Sequence, residues 1–146
     1  MRRATLVLVA LCGLAACNDL RDFRGTWRGP RVGDSPVLHV GVGTSANAAL
    51  TIDALDSHGI QGELTIDGLA IQARFASLPG AEADVLAGLS FSGEPLRVYL
   101  AFVAIPDGGG EALAVVALYN DRRVELRVLR GGLTPIYAIF ALEEAP

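Results

Sequence analysis

The stretch that decides the fold is residues 113–128, which read LAVVALYNDRRVELRV. An apolar run is followed by the polar pair Asn120-Asp121 and by a second run in which apolar and charged residues alternate. Asn and Asp tolerate the backbone conformations that close tight hairpins. A period of two places the charged residues Glu125 and Arg127 on one face of a strand, in water. The opposite, inward face then carries Val124, Leu126 and Val128.

The same pattern of apolar runs separated by turns continues along the rest of the chain. Apolar runs alternate with turn clusters at 30–36, 43–45, 56–59, 67–68, 77–80, 92–95, 106–110 and 131–132. Leu50-Thr51-Ile52-Asp53 recurs as Leu64-Thr65-Ile66-Asp67, a pair that we interpret as two strands of one hairpin. The spacing predicts an all-β domain in which a single antiparallel meander of roughly 8–10 strands closes into a small barrel. A β-sandwich is the alternative.

Three of the predicted strands, 96–105, 113–119 and 136–142, are apolar on both faces. An antiparallel sheet with one face in water does not have this composition. Either something covers the outer side of these strands or the protein self-associates. We assign that outer apolar face to the neighbourhood of Tyr99, Val116 and Tyr137, as a surface on which an envelope protein partner would dock.

The N-terminus carries an export signal. Arg2-Arg3 precedes an apolar run that is too short for a lasting membrane span, which needs about 20 residues. Leu14-Ala15-Ala16-Cys17 resembles the lipobox of bacterial lipoproteins. The resemblance implies cleavage before Cys17, lipidation of its thiol, palmitate or a similar acyl chain on the new amine, and anchoring to the membrane. By the same resemblance, Asn18 favours the periplasmic side of the outer membrane over the inner membrane.

These signals divide the chain into a signal peptide (1–16), a lipidated N-terminus with a short linker (17–24) and an all-β domain (25–146). Cys12 leaves with the signal peptide and Cys17 is capped, so the mature chain forms no disulfide. The mature chain carries 10 Arg and 16 acidic residues, for a net charge of −6. The predicted domain therefore depends on packing alone for its stability.

Composition excludes several kinds of chemistry. All 12 basic residues are Arg, so a phosphate-loop lysine and a Schiff-base lysine are both ruled out. With 2 His and 2 Cys, a zinc site is not expected, and no cofactor or other metal is predicted. An acidic chain without basic clusters does not suit nucleic acid, whose recognition requires grouped cations.

Residues 22–27, Asp-Phe-Arg-Gly-Thr-Trp, resemble the first-strand motif of lipocalins and related barrels, with Gly25-Thr26-Trp27 at its centre. The resemblance implies that Trp27 closes the barrel floor and packs against an arginine of a late strand, either Arg127 or Arg130. It also implies carriage of a small apolar molecule. An ordinary core Trp in another small barrel or sandwich is the alternative interpretation.

Other motifs have simpler interpretations. Gly41–Ala46 is similar to a dinucleotide-binding loop, but the strand pattern after it indicates a turn. Gly88–Gly93 falls one residue short of a nucleophile elbow, and no spacing selects His39 as a catalytic base. His58 is expected in a solvated turn, and Glu143-Glu144 in a soluble tail.

We therefore expect no enzyme. The leading prediction is a membrane-anchored envelope lipoprotein whose non-enzymatic barrel domain binds a small apolar or lipid-like ligand. A structural or protein-interaction module of the envelope is the first alternative. A hydrolase that uses His39 is the second. Cys17 is the single residue to which the sequence assigns a site, for lipidation.

Overall fold

The computed structural model describes residues 20–32, 46–67, 69–77, 91, 93–105, 110–130 and 136–146. Within these residues a 3₁₀ turn, Leu20–Phe23, precedes eight strands. The strands are β1 (Gly25–Val32), β2 (Asn47–Leu55), β3 (Gly59–Ile66), β4 (Leu69–Ser77), β5 (Arg97–Ile105), β6 (Gly110–Leu118), β7 (Val124–Arg130) and β8 (Ile136–Glu144).

The strands form a closed antiparallel barrel in chain order. Each strand pairs with the next one, and β8 pairs back with β1, so that Trp27 lies opposite Glu144. Closure gives every strand two neighbours, and among the described residues the pairing is shortest between β4 and β5, where it joins Ala76 to Leu100 and Ser77 to Tyr99. The predicted meander is confirmed, and the barrel rather than the sandwich is the way in which it closes. The architecture is also consistent with a lipocalin-like barrel.

Short polar turns set the order of the strands. In the β2–β3 turn, Asp56 Oδ1 accepts hydrogen bonds from the backbone N–H groups of His58 (2.7 Å) and Gly59 (3.0 Å). Asp67 and Arg122 adopt positive φ in the β3–β4 and β6–β7 turns, at 49° and 62°. The repeated tetrapeptides lie in one hairpin as predicted, since Leu50 in β2 faces Leu64 in β3.

The seam that closes the barrel depends on a small residue. A Cβ atom added to Gly29 in β1 would lie 1.7 Å from the carbonyl oxygen of Ala141 in β8. No larger residue fits there without moving a strand, because the obstructing atom belongs to the backbone. Gly29 thus permits the close approach of the first and last strands.

The interior of the barrel is a single apolar cluster. Alternate residues of the strands point inward, and 25 of the described residues, from Phe23 to Leu142, are buried and pack into one core. Large side chains gather at the end where the 3₁₀ turn lies, and among them Phe23, Leu118 and Val124 are at most 1% exposed. As predicted, Val124, Leu126 and Val128 of β7 face this core.

Candidate functional site

Several residues singled out by the sequence lie outside the described residues. They are Cys17 with its lipobox, His39, most of the Gly41–Ala46 loop and the serine of the Gly88–Gly93 segment. The site can therefore be built only from the barrel, its turns and the 3₁₀ turn. His58 belongs to this part and is confirmed as a solvated turn residue, with 91% of its side chain exposed.

The 3₁₀ turn closes one end of the barrel. Within the stretch predicted to be a linker, Phe23 is completely buried and its ring centroid lies 5.7 Å from that of Trp27. The indole N–H of Trp27 donates a 2.8 Å hydrogen bond to the carbonyl of Phe23. The segment next to the predicted anchor is thus part of the packed domain.

The arginine expected beside Trp27 is not Arg127. That residue belongs to the outward face of β7, where its guanidinium lies 4.7 Å from the ring centroid of Phe91. Arg130 does continue the inward face of β7, but toward the end of the barrel opposite the 3₁₀ turn. Among the described residues, Trp27 finds its aromatic contact in Phe23, four positions away, and the prediction for Arg127 is wrong.

The described interior is filled. Seven inward alanines, which leave the least side-chain volume, are only 0–5% exposed: Ala46, Ala48, Ala73, Ala101, Ala112, Ala114 and Ala138. A side chain that water cannot reach does not border a water-sized cavity. In the described part of the barrel, the inward side chains form a core, which is one of the two interiors that eight strands allow.

The prediction of an outer docking face named the wrong residues. Tyr99 and Val116 point into the barrel and are 0% exposed. The prediction assigned these two residues to the wrong side, because a strand that is apolar at every position gives no sign of which alternate set faces inward. The side chain of Tyr137, the third residue of that prediction, lies outside the described ones.

Part of the outward face of β5–β7 is buried within the chain itself, whereas Phe102 on β5 is 75% exposed. Val98, Val115, Ala117 and Tyr119 form a second apolar cluster, at most 6% exposed, on the outside of the barrel. Phe91, from the β4–β5 connection, packs against it. The strands are apolar on their outer face as well because other residues of the same chain cover part of that face.

This outer layer holds a buried ion pair. Arg127 Nε donates to Glu125 Oε1, and the two residues are 1% and 6% exposed. The hydroxyl of Tyr119 lies 3.3 Å from the other carboxylate oxygen, and Phe91 stacks on the guanidinium. The prediction that these charges lie in water is wrong, because the alternation of β7 does not reveal what packs on its polar face.

Tyr99 joins the core to a turn. Its hydroxyl donates a 2.8 Å hydrogen bond to the backbone carbonyl of Asp56. Burial raises the pKa of Tyr99 to about 12; nearby Arg97 lowers it in part, and Asp56 raises it slightly. This polar tip on an inward side chain holds the β2–β3 turn against the end of the barrel.

The C-terminal acidic pair is not a free tail. Glu143 and Glu144 are the last residues of β8 and pair with β1. Glu144 Oε2 accepts a 2.6 Å hydrogen bond from Arg122 in the β6–β7 turn. A solvent-exposed pair of this kind contributes at most about 1 kcal/mol.

A cavity of about 460 Å³ lies at the same end of the barrel as the 3₁₀ turn. Arg24, Arg74 and His58 line it, together with Asp56 and apolar residues of β2, β3 and β4. Asp56 is engaged by the backbone N–H groups of His58 and Gly59, which hold the pKa of its carboxyl below the usual value. The cavity combines two permanent cations with an apolar wall.

Sequence reasoning missed this cavity. Arg24 and Arg74 are 50 positions apart in the chain, and no spacing rule links them. The described residues hold no group of three or more His, Cys, Asp and Glu that could bind a metal. Among them there is also no helix with the length and apolar character of a membrane span.

No known protein family, curated protein or solved structure matches the chain.

Proposed function

We propose that this chain is an exported lipoprotein, held at the cell envelope by acyl chains on Cys17, whose barrel is a non-enzymatic binding module. The basic start, the short apolar run and Leu14-Ala15-Ala16-Cys17 support the anchor. Burial of two or three acyl chains gives stable attachment where one chain would not.

The observation that carries the proposal is the position of the 3₁₀ turn. Leu20, three residues after Cys17, packs against the barrel core, and Phe23 is fully buried within it. Three residues span at most about 10 Å. The tether is consequently short, and the end of the barrel that the turn closes is the end that faces the lipid surface.

The packed interior supports recognition on the outside of the barrel over carriage in the lumen. Lumenal carriage of an apolar ligand requires an enclosed space lined by apolar side chains. The inward alanines border no such space in the described part of the chain. Native mass spectrometry and solvent extraction of the purified protein should therefore recover no stoichiometric lipid, and recovery of one would reinstate the carrier.

The anchor is tested by metabolic labelling with a palmitate analogue in a bacterial host. Wild-type protein and Cys12→Ala should both incorporate label, since Cys12 lies in the cleaved segment. Cys17→Ala should incorporate none and should leave the membrane fraction after signal cleavage. Label that persists in Cys17→Ala would refute the lipoprotein assignment.

The membrane is tested separately by density fractionation of the envelope. Wild-type protein should follow the outer membrane. Asn18→Asp should move it to the inner membrane, by the sorting signal that lipoproteins use at this position. A wild-type protein found in the inner membrane would contradict the outer-membrane proposal without affecting the anchor.

A further inference from the structure

The cavity beside the 3₁₀ turn has the composition of an anion site. Arg24 follows directly after the turn, and Arg74 projects from the exposed face of β4. Both guanidiniums line one cavity although they come from opposite ends of the first half of the domain. Two planar forks with five donors each match the oxygens of a phosphate group.

Neither guanidinium is used by the protein itself. Among the described residues, the side chains of Arg24 and Arg74 have no ion pair and no hydrogen bond. At the same end of the barrel Arg122 and Arg123 pair with Glu144 and Asp121, at 2.6 Å each. Among the described residues at this end, Arg24, Arg74 and Arg97 have no carboxylate partner, and the first two of them line the cavity.

Asp56, the acidic residue in the cavity wall, does not occupy the two guanidinium groups. Asp56 Oδ1 accepts two backbone N–H groups of its own turn and lies 3.6 Å from His58 Nδ1. Neither arginine lies within ion-pair distance of it. Its negative charge is compensated within the turn, and the donors of Arg24 and Arg74 remain available to an incoming anion.

We propose that Arg24 and Arg74 bind the phosphate group of an anionic lipid headgroup, at the membrane-facing end of the barrel. Arg24 is seven residues from Cys17, a reach of at most about 25 Å. The site therefore meets headgroups whenever the anchor is inserted. The site is an open surface depression of about 460 Å³, and the exposed Ala54 and Ala76 supply an apolar wall beside the cations.

The overall charge of the protein opposes close contact with an anionic membrane. The mature chain carries a net charge of −6, which an anionic membrane surface repels. Each arginine near such a surface contributes attraction only within a screening length, about 8 Å at physiological salt. A localised pair of cations beside the anchor offsets part of this repulsion where the barrel meets the lipid.

The orientation in the cell rests on the proposed anchor, but the phosphate site can be tested without it. The mature chain, residues 17–146 with Cys17→Ala, contains every strand of the barrel and no acyl chain. It is sedimented with vesicles of 30% phosphatidylglycerol in phosphatidylcholine and with vesicles of phosphatidylcholine alone. We expect it to bind the anionic vesicles. No binding to them would overturn the site even if labelling at Cys17 succeeds.

Two double variants that remove the same charge distinguish a specific phosphate site from general electrostatic attraction to the membrane. Arg24→Gln/Arg74→Gln should weaken binding to the anionic vesicles by roughly tenfold or more. Arg28→Gln/Arg97→Gln removes the same charge from exposed positions outside this cavity and should weaken binding less than about threefold. Equal losses in the two double variants would refute the site. Matching thermal unfolding of both variants and the parent would show that the loss is not one of folding.

Free inorganic phosphate is the alternative ligand, because it presents the same chemical group as a lipid headgroup. Inorganic phosphate at 10 mM, added at constant ionic strength, should displace the protein from the vesicles by less than about twofold, because the apolar wall contacts only a lipid. Complete displacement would assign the site to soluble phosphate and overturn the headgroup proposal.

Discussion

The indole N–H of Trp27 donates a hydrogen bond to the carbonyl oxygen of Phe23, at 2.8 Å, inside the apolar core. This bond ties the 3₁₀ turn to the first strand and satisfies two polar groups that burial would otherwise penalise. It also makes the 3₁₀ turn, which lies next to the predicted anchor, part of the domain.

Truncation of Phe23 should destabilise the whole barrel. Phe23→Ala removes a fully buried ring that packs against Trp27, and we expect it to cost about 3–5 kcal/mol of unfolding free energy. Urea unfolding followed by Trp27 fluorescence measures the change. Leu20→Ala, at a partly buried position in the same turn, should cost about half as much or less. Equal, small effects would mean that the turn does not belong to the cooperative unit.

The buried ion pair should behave differently when one partner or both are replaced. Arg127→Met removes the cationic partner of the Glu125 carboxylate, which is only 6% exposed, and should cost about 3–5 kcal/mol of stability. The double variant Glu125→Leu/Arg127→Met should recover most of this loss, since an apolar pair suits the surrounding cluster. Additive losses in the double variant, measured by chemical unfolding, would argue against a buried pair.

The first and last strands should not tolerate a side chain between them. Gly29→Ala places its Cβ against the backbone of Ala141, and should cost about 2–4 kcal/mol or prevent closure of the barrel. Gly110→Ala is the control, because a Cβ there meets open space and only the positive φ of 75° opposes it, at about 1 kcal/mol. Circular dichroism during thermal unfolding compares the two. A Gly29→Ala protein as stable as the wild type would exclude the tight seam.

Alkaline pH should unfold the protein through Tyr99. The folded state raises the pKa of this phenol from about 10 to about 12, so it holds the proton more tightly than the unfolded chain does. The resulting stabilisation is complete below about pH 10 and is lost as the pH rises toward 12. Unfolding free energies measured across this range should fall more steeply in the wild type than in Tyr99→Phe. Parallel profiles would assign the alkaline transition to other groups.

The sequence by itself determined the β-meander, because local chemistry carries that information, whereas the structure decided that the meander closes into a barrel and not a sandwich. Asn120-Asp121 and the Asp56–Gly59 segment are turn formers whatever surrounds them, and the recurring Leu-Thr-Ile-Asp predicted the β2–β3 hairpin. The alternation of β7 likewise placed Val124, Leu126 and Val128 in the core. Period-two patterning is a property of a single strand and needs no knowledge of its neighbours.

Only the tertiary structure decided what lies on each face of the uniformly apolar strands and which charges meet. Nothing in LRVYLAFVAI distinguishes the inward Tyr99 from the outward Val98, because both sets of alternate residues are apolar. The burial of Glu125 and Arg127 depends on Phe91, which belongs to the β4–β5 connection. The cavity beside the 3₁₀ turn has the same origin, since the successive pairing of β1 to β4 places Arg24 and Arg74 on one surface, and no local pattern connects them.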